Sequence, residues 1–415
     1  MQANKLKALS VALAIALGGA AMSAGAAVYV QCPGDTNGDA IPDGAYDPNK
    51  LKCMHLTGGD GFVTMADGTQ QYIFGFNDVT GVPEANVMNT GMLAANFPAP
   101  TIVLKQGQEF YLSLTNVGMV MRPDLFDPHT VHFHGFPNAA TVFDGVPDAS
   151  LAINMGSTFT YYYNLVEPGT YMYHCHVEAT EHMQMGMLGN LYVLPIQDEL
   201  PAGTTFGNGF VHQAGYKYVY NDADGSTRYD VEYPIQIGSF DPDFHAADLN
   251  IQPLPFAAMH DRYPMLNGRG YPDTLNPNPL PAPADNVNNG KQSQPVSSLI
   301  TATVGQKILL RISNLNVTNF YTLTAAGLNM RVVGTGARLM HGPDPDGAGP
   351  LVGKDTSFDT MSVTLGGGEG VDVIIDTTAV TPGTYFLYTT NLNYLSNDAE
   401  DYGGMMTEIH INPLI

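Results

Sequence analysis

Residues Tyr173-His174-Cys175-His176, with His182 and Met187 close behind, place a thiolate, several imidazoles and a thioether within one short stretch. Imidazole and thiolate with a weakly held thioether suit copper, and a His2Cys set with an axial Met is the ligand group of a blue electron-transfer centre. A second cluster, His129-Thr130-Val131-His132-Phe133-His134-Gly135, lies upstream and supplies the imidazole the first one lacks.

Strand geometry divides these ligands between two faces, because neighbouring side chains on a strand point in opposite directions. If residues 173–176 are extended, His174 and His176 project one way and Cys175 the other. The same parity puts His132 and His134 on one face and frees His129 for the other. One face then gathers His129, Cys175, His182 and Met187 for a single copper. The other gathers His132, His134, His174 and His176 for further copper. Cys175 is covalently continuous with His174 and His176, which gives electrons a short through-bond route between the groups.

The elements that position these ligands read as β-strands. Tyr72-Ile73-Phe74-Gly75-Phe76, Thr101-Ile102-Val103-Leu104 and Phe110-Tyr111-Leu112-Ser113-Leu114 are short runs separated by Gly, Pro, Asn and Asp, the pattern of an all-β sandwich. Domain boundaries are expected at 27–60 for an N-terminal extension, 61–200 for the copper-binding domain and 201–415 for a second domain, joined by a polar stretch over residues 196–210. Lys307–Ile312 and Gly370–Ile375 echo strands of the first block, and Pro382-Gly383-Thr384-Tyr385 repeats Pro168-Gly169-Thr170-Tyr171, so the chain reads as a tandem repeat. The Asn- and Pro-rich segment Tyr271–Pro295 is expected to be a surface loop.

Composition narrows the function. The 415 residues suffice for two to three domains, and a formal charge of −23 argues against nucleic acid as a partner. Lys5 and Lys7 before the apolar run Leu9–Met22, with Ala24-Gly25-Ala26 after it, read as a signal peptide over residues 1–26, and no later run is apolar and long enough to span a membrane. A secreted protein follows. With Cys175 in the metal motif, Cys32 and Cys53 remain as a disulfide pair in an oxidising compartment. Asp35, Asn37, Asp39 and Asp43 fall at offsets 1, 3, 5 and 9 of a calcium loop, although Ala40 stands where an EF-hand has glycine and no Glu follows at the twelfth position.

The motifs His-x-x-His-x-His and His-Cys-His…His-x-x-x-Gly-Met resemble the third and fourth copper motifs of the multicopper oxidases, the laccase-like cupredoxin family. Pro98-Ala99-Pro100-Thr101-Ile102, Phe143-Asp144-Gly145-Val146-Pro147 and Asn267-Gly268-Arg269 also resemble family segments. The resemblance implies two tandem cupredoxin-like Greek-key β-sandwiches. It implies type 1 copper on His129, Cys175, His182 and Met187, type 2 copper on His132, and type 3 copper on His134, His174 and His176. A small-molecule or metal-ion reductant would give up electrons at the first centre, and dioxygen would be reduced at the second.

Two departures qualify that expectation. The interval from Cys175 to His182 is two residues longer than the family's. The family's oxygen-reducing cluster also takes eight histidines from two domains, whereas Phe320–Thr324 and Tyr388–Leu392, where the second domain should answer, contain none. A homo-oligomer built like the small two-domain laccases would leave that cluster half-made, so the resemblance implies completion by a second chain or domain bearing copper ligands. The rival reading is a blue-copper electron carrier or copper-binding protein without oxidase activity. Two-domain copper nitrite reductases share the layout, but their third type 2 histidine is missing near Thr390 and His132 stands where their catalytic aspartate belongs. Glu178 and Glu181, inside the type 1 loop, suit a cationic reductant such as Fe(II) or Mn(II).

Overall fold

The computed structural model describes residues 29–137, 139–341 and 353–414, so the signal peptide expected over 1–26 lies outside the described residues. The first sandwich is built from β1 (Leu51–Thr64), β2 (Gln70–Asp78), β3 (Ala99–Lys105), β4 (Glu109–Gly118), β5 (His132–His134), β6 (Thr158–Asn164), β7 (Gly169–His174) and β8 (Leu188–Leu194). One sheet runs β2-β1-β4-β6 and the other β3-β8-β7-β5. Alternation explains the packing: Phe110, Leu112 and Leu114 of β4 turn inward beside Tyr161 and Tyr163 of β6, meeting Phe133, Tyr173, Leu191 and Val193 of the facing sheet. Each such buried side chain contributes about 1.5–3 kcal/mol.

The second sandwich repeats this plan. Val231–Phe240 pairs parallel with Lys307–Asn314, as β1 does with β4, and Ile300–Thr303 pairs parallel with Met406–Asn412, as β3 does with β8. Tyr171 and Tyr385 open equivalent strands, and each donates its hydroxyl to the carbonyl of the residue four positions back, Glu167 and Thr381. The hydroxyl fixes the corner at which the chain enters the strand.

One expectation is corrected. The first sheet begins at Leu51, so an extension ending at residue 60 would cut through β1. The run Gly58-Gly59-Asp60-Gly61 lies inside that strand, with a β-bulge between Gly58 and Gly59. Close approach demands those glycines: a Cβ on Gly59 would lie 2.7 Å from Val117 Cγ2. The expected surface loop Tyr271–Pro295 is a loop with many exposed residues, but its buried Asn288, Ser293 and Gln294 turn inward. Pairing of β1 with β4 stops at Gly59, and this segment covers the exposed edge beyond it. Asn288 accepts from Phe62 N at 2.8 Å and donates to Phe62 O, while Gln294 accepts from Thr64 N and donates to Thr64 O.

Arg311 ties the domains together. Fully buried on the second domain, it donates to Glu232 and to Thr170 of β7 and lies over the Tyr192 ring of β8. Asp372 accepts from Thr170 and Tyr220, completing a buried ionic knot. In the extension, Cys32 and Cys53 form a disulfide.

Candidate metal centre

His129 precedes β5, Cys175 follows β7 and His182 lies on the helix Ala179–Gln184. That helix accommodates the two extra residues in the ligand segment, where a plain loop was expected. The ligand atoms of His129, Cys175 and His182 fall within 4.8 Å of one another, and all three residues are buried. His182 Nδ1 lies 3.1 Å from Cys175 Sγ. Met187 returns beneath them: its Cε and the His129 ring converge on Gly58, where a Cβ would meet them at 3.3 and 2.9 Å.

The chemistry of this pocket fits a copper ion. Both ring nitrogens of His129 and Nε2 of His182 are buried without a hydrogen-bond partner. Such orphaned groups cost about 1–3 kcal/mol each unless something engages them. Burial alone would raise the Cys175 thiol, but the His182 and His129 imidazoles overcome it and hold the thiol well below its ordinary range. Burial likewise opposes charge on His182, and the Cys175 sulfur and the Asp127 carboxylate reverse the effect, pushing it to about 10. A thiolate facing a retained proton is the arrangement a metal cation replaces.

Around the sulfur lie groups that carry no sequence signal. Thr130 N donates toward Cys175 Sγ at 3.4 Å, and its hydroxyl accepts from His176 N at 3.0 Å. Asp127 Oδ2 stands 3.9 Å from His182 Nε2, and the His182 imidazole beside it keeps the carboxyl below its usual value. Beside Asp127, a cavity of about 250 Å³ is lined by Arg122, Glu178, Glu181 and Asp248, with Ile251 and Leu254. Burial raises Glu181 to about 8, helped by Asp248. Arg122 donates to Asp124 and Asp248, so the second domain forms one wall of this cavity.

The remaining histidines emerge on the opposite side. His132 faces His174 in the β5–β7 register, with His134 two residues along. His132, His134 and His174 bring ligand atoms within 4.8 Å, and the His176 ring centre lies 5.2 Å from that of His132. Tautomers are fixed by carbonyls: His132 Nδ1 lies 2.6 Å from Asp144 O and His174 Nδ1 lies 2.7 Å from Cys175 O. Each ring thus presents Nε2 to the cavity. Burial drives His174 down to about 3 and lowers His134, so both stay neutral donors. Gly145 permits the turn bearing Asp144, since a Cβ there would strike Val131 O at 2.1 Å.

These four histidines line a cavity of about 490 Å³ whose other wall comes from the second domain, including Asn316, Thr318, Phe320, Gly367 and Gly368. Among the described residues, the second domain brings no histidine to it. The strand pair that answers β5 and β7 in the repeat carries Leu323 opposite Thr389. His245, one of the scattered histidines read as unremarkable, bridges Tyr72 O of β2 and Gln184 O of the ligand helix. In the extension, Asp35, Asn37 and Asp39 accept from backbone amides of their own loop and Asp43 accepts from Thr36. The Asp35, Asp39 and Asp43 carboxylates do not come within 4.8 Å of one another.

Two tandem β-sandwiches, the first with a buried His2Cys group beside a methionine, define a cupredoxin-type copper protein. Family profiles described as multicopper oxidase match residues 65–198 and 260–409, and the chain belongs to the multicopper oxidase family. Over 118 residues it is 31% identical to laccase abr2 of Aspergillus fumigatus, covering 28% of this chain and 19% of that protein. Over 91 residues it is 34% identical to multicopper oxidase MmcO of Mycobacterium tuberculosis, covering 22% and 16%. The chain thus matches less than a fifth of the length of these relatives. Among solved structures, a blue copper oxidase from Nitrosomonas europaea aligns with a TM-score of 0.59 at 21% identity, covering 87% of this chain and 86% of that one. A copper nitrite reductase from the same organism aligns with a TM-score of 0.55 at 15% identity, covering 88% and 94%, which shows a shared fold.

Proposed function

We propose that the protein is a secreted copper-dependent oxidoreductase of the multicopper oxidase type. It takes electrons from a small substrate or metal ion at a type 1 copper and uses them at a histidine-bound copper site for dioxygen reduction. The observation that carries this reading is the pair of ligand groups, His129–Cys175–His182 and His132–His134–His174, on either side of one strand end. Copper, when bound, supplies the one-electron chemistry that none of these side chains performs alone.

The chain's own residues do the rest. The main chain joins Cys175 directly to His174, so the two groups are covalently linked. The cavity of Asp127, Glu178, Glu181 and Asp248 beside His182 suits a small cationic reductant, with Arg122 offsetting part of the charge. Ile251 and Leu254 give one side of it an apolar edge. Completion of the oxygen-reducing cluster by a further histidine-bearing chain belongs to the same reading.

Copper counting with oxygen uptake tests it. The full chain, with and without partner chains, is loaded with copper and given a reducing substrate. Oxygen consumption together with a blue band and additional non-blue copper supports the oxidase. One blue copper per chain and no oxygen uptake in any assembly overturns it in favour of an electron carrier.

A further inference from the structure

We propose that Asp261 is a positioning residue for the blue centre, bracing the helix that carries His182 against the second-domain wall of the histidine cavity. Its effect at copper rests on the type 1 reading above, whereas the brace is a property of the metal-free chain. No copper motif contains Asp261, which lies in the second domain just before the strand Tyr263–Leu266.

The carboxylate is 5% exposed. Gln184 Nε2 donates to its Oδ1 at 2.8 Å, and the hydroxyls of Ser239 and Thr318 both donate to its Oδ2. All of these donors are neutral, and each belongs to a different part of the chain. Gln184 ends the ligand helix, Ser239 lies on the second-domain strand Val231–Phe240, and Thr318 lines the histidine cavity. A buried carboxylate is costly unless hydrogen bonds replace its water, so both oxygens depend on these contacts. Burial raises the carboxyl, and the Ser239 and Thr318 hydroxyls oppose that shift by favouring the charged form.

The helix transmits the hold. It has six residues, too few to be stable without tertiary contacts. Two residues advance an α-helix by about 200°, which puts Gln184 on nearly the opposite side from His182. On one side the His182 ring meets Cys175 Sγ at 3.1 Å, and on the other Asp261 holds the Gln184 amide. Between those sides, Ala179, Thr180 and Met183 line the histidine cavity. The far end of the brace is also fixed, because Asn316 Oδ1 accepts from Thr318 N at 3.1 Å and from Asn319 N at 2.8 Å. His245 takes only the Gln184 carbonyl, so Asp261 is the contact that reaches from the helix to the cavity wall. One carboxylate therefore joins the segment bearing His182 to the wall that faces His132, His134 and His174.

The test uses the full-length chain, metal-free for hydrogen–deuterium exchange and copper-loaded for the visible spectrum and reduction potential. In Asp261→Ala and in Gln184→Met, amides of residues 179–187 should exchange about tenfold faster while those of β4 keep their protection. Both variants should move the visible maximum and the potential in the same direction. The double variant should add nothing, because each single change removes the same contact. Asp261→Asn keeps an oxygen for the two hydroxyls and an amide to meet Gln184, and should recover most of the wild-type values. Unchanged exchange over 179–187, an unmoved spectrum and potential in a folded variant, or additive shifts would overturn the proposal. A wild-type chain that binds copper without blue absorption would instead defeat the type 1 assignment, and the exchange result would then uphold or overturn the brace by itself.

Discussion

His182 Nδ1 sits 3.1 Å from the Cys175 sulfur, although one residue rides on a helix and the other ends a strand. Seven residues of chain fold back to create that contact, and the Met187 amide closes the turn by donating to the His182 carbonyl at 2.8 Å. Thiolate-to-copper charge transfer gives a blue centre its colour, so Cys175→Ser should abolish the intense visible absorption of the copper-loaded protein. An absorption spectrum checks this directly, and an unchanged blue band would refute the ligand assignment.

Gly58 should behave as a positioning residue for the same centre. Its missing side chain makes room for the His129 ring and the Met187 methyl. In Gly58→Ala the methyl must displace one or both, at about 1–3 kcal/mol of stability. We expect copper still to bind but with a shifted visible maximum and reduction potential. A destabilised variant whose spectrum and potential match wild type would limit Gly58 to packing.

Arg311 should be critical to stability. Its guanidinium is the counter-charge for Asp372, which is 1% exposed. Arg311→Met would strand that carboxylate at the domain junction and should cost about 3–5 kcal/mol. Denaturant unfolding measures the loss, and Asp372→Asn in the same chain should restore part of it.

Asp198 supplies a pH-dependent case. Burial raises its carboxyl to about 6 from an ordinary 3.8, despite the hydrogen bond from Tyr218 N. The neutral form is the one the fold prefers. Its stabilising contribution is therefore complete below pH 3.8 and lost as pH rises through 6. Asp198→Asn keeps an acceptor for Tyr218 and should stabilise the protein by about 1 kcal/mol at pH 7.5, after allowance for solvent screening. At pH 3.5 the same substitution should change little. Unfolding curves at the two pH values decide it; an equal gain at both would rule out titration of Asp198 as the cause.

Residue type and parity made the ligands legible. His129, Cys175 and His182 do converge, and the two-face division follows from strand geometry that needs no structure to state. What stayed hidden depends on long-range contact. Gly58 carries no motif, and only the folded strand brings it under the His129 ring. Asp248 and His245 carry no motif, and only packing of the second domain against the ligand helix brings them beside the centre. The Asn288 and Gln294 contacts to β1 were equally invisible, because polar loop residues announce solvent unless an unpaired strand edge waits for them.

The imidazole of His245 spans from one sandwich to the backbone of the other, holding Tyr72 and Gln184 in its two nitrogens' reach. The second lobe is thus a splint for the one that carries the ligand groups. Cutting the chain between them to obtain a smaller pigment would release the helix that carries His182, and the fragment's hue would report on a differently shaped molecule.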